Sequence, residues 1–393
     1  MSITPTSWIE DPMTDLPGES LVRQLDLTKI PSPHYLLDGQ RLMQNGRILA
    51  DVAQRSGATI ILALKAFAHA QALAYLKPYL HGVAASSLHE AQLGKKAVGG
   101  ALHLYAPAYQ PEAMAYYAEH ASHIVFNSFG QWRRYKTHLR DSSASVGIRI
   151  NPEHSTRTDF DSCDPCQPGS RLGVPAALFE ADAVDGLEGL HFHTLCMQGP
   201  EALAETLAAV EAKFGVWLPK LKWVNFGGGH LITHPDYDRD RLVELIKAFS
   251  ARYGVQVILE PGAGAVFGSG VLVAQVEDII HTELPSVVLD VSAAAHVTDV
   301  LDLGWRPTLW GAGRAQEYAH TYRLGGHSCL SGDYFGLYSF PHPLQVGQRL
   351  VFLDMAHYTL VKMTTFNGLQ PPPVHLLNEG SLDLLQGQLG LQP

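Results

Sequence analysis

Thr59-Ile-Ile-Leu-Ala-Leu-Lys65 is an apolar run closed by a lysine, and its reading decides the fold. A short apolar run of this length reads as a buried strand. A cation at the end of such a strand is costly unless it is paired or chemically used. Desolvation also lowers the pKa of an amine, which makes it a better nucleophile toward carbonyls.

Outward from this run, short apolar segments alternate with helix-like stretches. The expected strands are Thr59–Lys65, Gly82–Ala85, Ala101–Tyr105, Ser122–Phe126, Val146–Ile150, Gly189–His193, Trp223–Phe226 and Val255–Glu260. Between them, Leu88–Val98, Pro111–His120, Pro200–Phe214 and Arg239–Tyr253 carry apolar residues at helical spacing. The alternation predicts an α/β fold, a (β/α)8 TIM-type barrel. An open Rossmann-like sheet is disfavoured, because no GxGxxG follows the first strand.

After Gly264 the pattern turns β-rich, in Val266–Ile280, Ser286–Val291, Arg306–Leu309, Gly347–Leu353 and Tyr358–Met363. The expected domains are an irregular arm over 1–30, a barrel over 31–264 and a mostly antiparallel C-terminal β domain over 265–393. A strand from 31–37 is a possible addition to the last. The polar stretch 152–171 reads as a mobile lid.

In such a barrel, the C-terminal strand ends form the active site. Lys65, Ser86, Ser87, Asn127, Asn151, His193, Gly227–Gly229 and Glu260 fall just past those ends, with Arg149 one residue inside. The turns Phe226-Gly-Gly-Gly-His230 and Glu260-Pro-Gly-Ala-Gly264 can bring backbone N–H groups to a phosphate. A lysine, a phosphate cradle and a carboxylate together suggest pyridoxal phosphate, whose electron sink works best with its ring nitrogen protonated beside an acid. His191 and His193 share a strand face. His193 suits stacking on the cofactor, while His191 reads as a core histidine, and no third metal ligand at a typical spacing accompanies them.

The balance of 38 acidic against 28 basic side chains, net -10, argues against nucleic acid and suits a cationic substrate. No run approaches a membrane span, and the polar, acidic start is not signal-like, so cytoplasmic residence is expected. Cys163-Asp-Pro-Cys166 is a lone CxxC without a second pair, and two loop thiols are its simplest reading.

The series Ala63-Leu-Lys-Ala66, His191-Phe-His-Thr-Leu-Cys196, Phe226-Gly-Gly-Gly-His230, Glu260-Pro-Gly262, Cys329-Leu-Ser-Gly-Asp333 and His357-Tyr-Thr359 with Thr364-Thr-Phe-Asn-Gly368 resembles the fold-type III pyridoxal-phosphate decarboxylases. Within that group it is most similar to the carboxynorspermidine/carboxyspermidine decarboxylases of polyamine biosynthesis. The resemblance implies that Lys65 binds the cofactor covalently, His193 stacks on its ring and Glu260 pairs with the ring nitrogen. It places Arg149 near the phenolic oxygen, and Gly227, Gly228, Gly229, Gly262 and Tyr358 at the phosphate. It puts Cys329 and Asp333 in a neighbouring subunit's site, implying a homodimer, with His296 and Asp299 near the substrate. Cys329 and Lys65 are both candidate proton donors. Met197 stands where an acidic residue is common in the family, and the segment 302–306 is atypical too, which leaves as the alternative a related fold-type III decarboxylase acting on another amino acid or carboxylated amine in a specialised pathway.

Overall fold

The computed structural model describes residues 16–156, 163–180, 182 and 186–378. The chain forms two compact units, one from Met43–Ala265 and one from the chain up to Leu42 and from Val266 onward. Sixteen strands occur in chain order among the described residues. The first nine are β1 (His34–Asp38), β2 (Thr59–Ala63), β3 (Gly82–Ala85), β4 (Ala101–Tyr105), β5 (His123–Phe126), β6 (Ser145–Asn151), β7 (Val174–Pro175), β8 (Gly189–His191) and β9 (Trp223–Asn225). They are followed by β10 (Gln256–Leu259), β11 (Gly270–Ile280), β12 (Ser286–Leu289), β13 (His320–Gly325), β14 (Tyr334–Phe340), β15 (Arg349–Leu353) and β16 (Val374–Leu377).

In the first unit β2, β3, β4, β5, β6, β8, β9 and β10 pair in parallel and close on themselves, since β5 meets β6 and β10 meets β2. This is the expected eight-stranded barrel. Strand β7 lies outside the ring on β6. Ile60, Ile61 and Leu62 are fully buried in succession, because a parallel barrel strand is covered on both faces. The barrel interior is packed with side chains. Trp223 fills one level, and a Cβ on Gly189 or Gly147 would stand 2.1 or 2.4 Å from its ring. Its indole donates to Ser145 Oγ at 2.7 Å. His103 and His123 stack above one another at 3.9 Å, and burial, reinforced by His123, pushes His103 down to about 3. Side-chain caps from Ser87, Ser128 and Asp238 start the outer helices Leu88–Ala97, Phe129–Tyr135 and Arg239–Tyr253.

The second unit is a mixed sheet in the order β14-β13-β12-β11-β1-β16, with β15 also on β11. It is antiparallel except where β1 meets β16 and β12 meets β13. Strand β1 thus belongs to the sheet rather than the barrel. Residues 16–30, expected to be irregular, form a helical turn at Glu19–Val22 and a 3-10 turn at Leu27–Lys29. Leu21, Val22 and Ile30 enter the sheet's core with Val271 and Val351. Residues 1–15 and 379–393 lie outside the described residues, as do 157–162 of the expected lid.

Two expected strands are corrected. Arg306–Leu309 has only a bridge at Leu309, since Pro307 lacks the N–H a ladder needs. Within Tyr358–Met363 a helical turn forms at Thr359–Lys362, and the Thr359 hydroxyl donates to Met355 O at 2.5 Å. No helix among the described residues is long and apolar enough to cross a membrane.

One ion pair in this unit makes a pH prediction. His357 Nε2 lies 3.1 Å from Asp354 Oδ2. Burial opposes the imidazolium, and Asp354 more than offsets it, so the His357 pKa is raised above 6.5. A raised folded-state pKa gives stability that is complete below the unfolded value and is lost as pH rises through the folded one. Asp354→Asn therefore costs about 1–3 kcal/mol at acidic pH and less at alkaline pH, measured by denaturant titration at both. An equal cost at the two pH values excludes the imidazolium as its source.

Candidate active site

The residues expected to carry chemistry in the barrel gather at the C-terminal ends of β2, β6, β8, β9 and β10. Lys65 lies in the turn just past β2, which ends at Ala63. Its amine reaches water, yet protein atoms crowd most of its surroundings. That crowding, together with the Arg149 guanidinium, holds the Lys65 pKa below the ordinary lysine range.

Lys65 Nζ stands 3.2 Å from His193 Nε2. The other ring nitrogen, Nδ1, accepts the Gly228 N–H at 2.8 Å. Nδ1 therefore carries no proton, and a neutral imidazole must hold it at Nε2. Burial, seconded by Lys65 and Arg149, pushes His193 well below its usual range, so it stays neutral. An Nε2–H can only donate, so the Lys65 partner in this bond is the neutral amine with its lone pair. The geometry and both pKa directions agree.

Arg149 is buried in β6, where its Nη2 donates to the His193 carbonyl at 3.1 Å. Its guanidinium stacks 4.6 Å from the centre of the Tyr105 ring, a cation–π contact. Tyr105 donates in turn to Asn127 Oδ1 at 2.9 Å.

Glu260 follows the last residue of β10. Burial opposes its charge, but the neighbouring His191 and the Asn225 hydrogen bond outweigh that and keep the carboxyl below its usual range. Asn225 Nδ2 donates to Glu260 Oε1 at 2.7 Å. His191 Nε2 stands 3.7 Å from Oε2, beyond hydrogen-bond reach, and burial lowers the His191 pKa. The two histidines of this segment thus part company, His193 to the lysine and His191 to the acid.

The glycine turn requires glycine. Gly227 and Gly229 have φ of +72° and +89°, a region that L side chains rarely adopt. A Cβ on Gly229 would stand 2.0 Å from Leu195 O, and one on Gly227 2.6 Å from His193 Cβ. The N–H groups of Gly227 and Gly228 are already engaged by Asn225 and His193. The Gly229 N–H makes no hydrogen bond to the described residues. Gly262 serves close approach, since a Cβ there would be 2.6 Å from Ala66 Cβ beside Lys65.

The other expected site residues lie in the sheet unit. Cys329 is exposed in the β13–β14 loop, its N–H bonded to Asn367 Oδ1 at 2.8 Å. Asp333 lies at the end of the same loop. It is 3% exposed, and its carboxylate accepts from Ser292 Oγ and from the N–H groups of Ala294 and Ser328. Those donors turn it inward as the anchor of the Cys329 loop. His296 is buried as well, its Nδ1 accepting the Ser292 N–H at 3.2 Å. Asp299 pairs with Lys362, which also bonds Asp302 at 2.7 Å. Tyr358 has φ of +51° just before the Thr359–Lys362 turn.

Sequence reasoning missed Asn225, Tyr105 and Lys362. Asn225 had one signal, a polar residue inside an apolar strand directly before a glycine turn.

The barrel rim fits pyridoxal phosphate. It offers a neutral amine for an aldehyde, an ionised acid for a ring nitrogen and a glycine N–H without a protein acceptor. The Arg149 Nε is buried with no hydrogen-bond partner among the described residues, a donor left for an anionic oxygen. Comparison with known proteins agrees. A family described as "pyridoxal-dependent decarboxylase, C-terminal sheet domain" matches residues 34–356. The carboxyaminopropylagmatine decarboxylase of Synechocystis sp. is 43% identical over 89% of this chain and 91% of its own. The carboxynorspermidine/carboxyspermidine decarboxylase of Campylobacter jejuni is 40% identical over 89% of this chain and 94% of its own. The crystal structure of carboxynorspermidine decarboxylase from C. jejuni, complexed with norspermidine, superposes with a TM-score of 0.82 at 39% identity, covering 88% of this chain and 94% of that one. Because the match runs across both units, the chain belongs to the pyridoxal-dependent decarboxylases and is a carboxy-lyase whose cofactor is pyridoxal 5'-phosphate.

Proposed function

We propose that the chain decarboxylates carboxynorspermidine or carboxyspermidine, releasing norspermidine or spermidine. The Lys65–His193–Gly228 hydrogen-bond series carries the mechanistic reading, because it holds a nucleophilic amine neutral at the barrel rim. The names of the Campylobacter relatives support the substrate, and the net charge of -10 suits a polycation.

Bound at the rim, the cofactor supplies the sink for the electron pair that the departing carboxylate leaves behind. Lys65 Nζ, the neutral amine of the rim, would hold its aldehyde. Glu260, kept ionised against burial by His191 and then Asn225, would keep a proton on the pyridine nitrogen. His193 presents its neutral ring to the cofactor's face, and the Gly228 N–H fixes the plane of that ring. Arg149 offers its free Nε–H to the phenolic oxygen. The grip on the phosphate would fall to the Gly229 N–H, while Gly227, Gly228 and Gly262 shape the turns around it.

A proton returns to the substrate carbon from Cys329 or from the freed Lys65. The Cys329 route requires a second copy of the chain, and the working form is a homodimer with shared sites. Exposed apolar side chains at that loop, Leu330 at 42% and Tyr334 at 37%, with Phe366 at 44% next to the Asn367 that bonds the Cys329 N–H, support a contact between copies. Asp299 and His296 serve the substrate end from the same unit, and Asp333 serves it by anchoring the Cys329 loop.

A second substrate reading rests on the Synechocystis relative: carboxyaminopropylagmatine, whose tail ends in a guanidinium. Met197, which stands where the family commonly has an acidic residue, has φ of +53°, and strained residues of this kind cluster at functional sites. Incubating the purified holoenzyme with the three carboxylated amines and following carbon dioxide release decides between them. We expect kcat/KM for carboxynorspermidine or carboxyspermidine to exceed that for the guanidinium compound at least about tenfold. The reverse order installs the second reading, and turnover of none of them removes both.

A further inference from the structure

Asn225 ends β9 fully buried, with both ends of its side-chain amide in use. Nδ2 donates to Glu260 Oε1 at 2.7 Å, and Oδ1 accepts the Gly227 N–H at 2.8 Å. A main-chain bond runs alongside, from Glu260 N–H to Gly227 O at 2.8 Å. The exits of β9 and β10 are therefore tied together by backbone bonds and, in addition, by this one side chain.

The orientation of the amide is forced. The Gly227 N–H can only donate and an ionised Glu260 can only accept, so the bridging group must accept at one end and donate at the other. Aspartate has the same shape and offers acceptors at both ends. Alanine offers neither. His191 gives the carboxylate no hydrogen bond, because its Nε2 is 3.7 Å away and both its ring nitrogens are buried without partners. Among the described residues, the hydrogen bond that orients Glu260 comes from Asn225.

We infer that Asn225 is a positioning residue, which aims the Glu260 carboxylate while pinning the glycine turn, so that one side chain couples the acid to the phosphate end of the cofactor site. The inference rests on the reading of Glu260 as the partner of the pyridine nitrogen.

The test compares holoenzymes of the parent, N225D, N225A and E260Q for kcat and KM across the neutral pH range. It adds the cofactor dissociation constant from equilibrium dialysis and the melting temperature. N225D sets two carboxylates at hydrogen-bond distance, where only one ionises near neutrality. Its kcat falls about 10- to 100-fold with KM within about threefold, and its kcat–pH profile gains an ionisation that the parent lacks. Its cofactor affinity stays within about threefold, since an acceptor for Gly227 remains. N225A loses both bonds. Its kcat falls similarly without the new ionisation, and its cofactor affinity drops about tenfold.

A parent-like kcat and pH profile in N225D overturns the inference. So does equal loss in N225D and N225A with lowered melting temperatures and no change in either pH profile, the pattern of a merely structural residue. Should N225A fail to fold, the nearly isosteric N225D decides. Parent-like activity in E260Q instead overturns the reading of Glu260 itself, whereas an impaired E260Q beside a parent-like N225D removes only the role of Asn225.

Discussion

Glu260→Gln lowers kcat by about 10²- to 10³-fold and leaves KM for the substrate within a few fold, the loss expected when an electrostatic partner of the transition state is removed. The substitution keeps the shape of the side chain and its capacity to accept from Asn225 Nδ2, now at 2.7 Å. It removes the negative charge, and an amide does not hold a proton on a pyridine nitrogen. The sink for the carbanion weakens, whereas substrate binding through other groups does not change. Burial works against charge at this position, and His191 and Asn225 more than offset it. The parent carboxylate therefore stays ionised through the neutral range, and the deficit of the variant is uniform there. Steady-state kinetics across that range measure it. A rate within about threefold of the parent removes Glu260 from the electron-sink role.

The sequence made the barrel legible because its strands are continuous apolar runs, of which Ile60-Ile-Leu62 is representative. Polar residues and glycines stood out just beyond those runs, at one strand end, and that asymmetry located the rim. Boundaries were less legible. His193 and Lys65 each lie two residues past a strand end, since the apolar character of Leu64 and Phe192 outlasts the ladder.

The sheet unit was harder to read. His320-Thr-Tyr-Arg-Leu-Gly325 and Tyr334-Phe-Gly-Leu-Tyr-Ser-Phe340 lack the alternation that marks a half-buried strand, yet they pair with each other throughout their length. Tyr358-Thr-Leu-Val-Lys362 had the composition of a strand, and a backbone turn won instead. Contacts remote in sequence were invisible for a different reason. Nothing in the Cys329-to-Asp333 segment tells that Ser292 and Ala294 donate to Asp333 and turn it inward. Likewise, that Asn225 bridges a glycine turn and an acid 35 residues on follows only once β9 and β10 lie side by side.

Lys65→Ala abolishes decarboxylation, at least about a thousandfold, because the covalent partner of the cofactor is gone. The visible absorption of the bound cofactor disappears with it, and cofactor is lost on dialysis. The fold is kept, since the Lys65 side chain reaches water and its hydrogen-bond partner, His193 Nε2 at 3.2 Å, retains the Gly228 anchor at Nδ1. An unchanged melting temperature beside absent activity separates lost chemistry from lost structure. The claim beneath the whole account is that this amine, kept neutral by an imidazole that can only donate to it, carries the cofactor. Borohydride reduction of cofactor-saturated protein, followed by peptide mass analysis, tests it most directly. A phosphopyridoxyl group on the peptide holding Lys65, absent from Lys65→Ala, is the predicted result. The same group on another lysine, or on none, contradicts it.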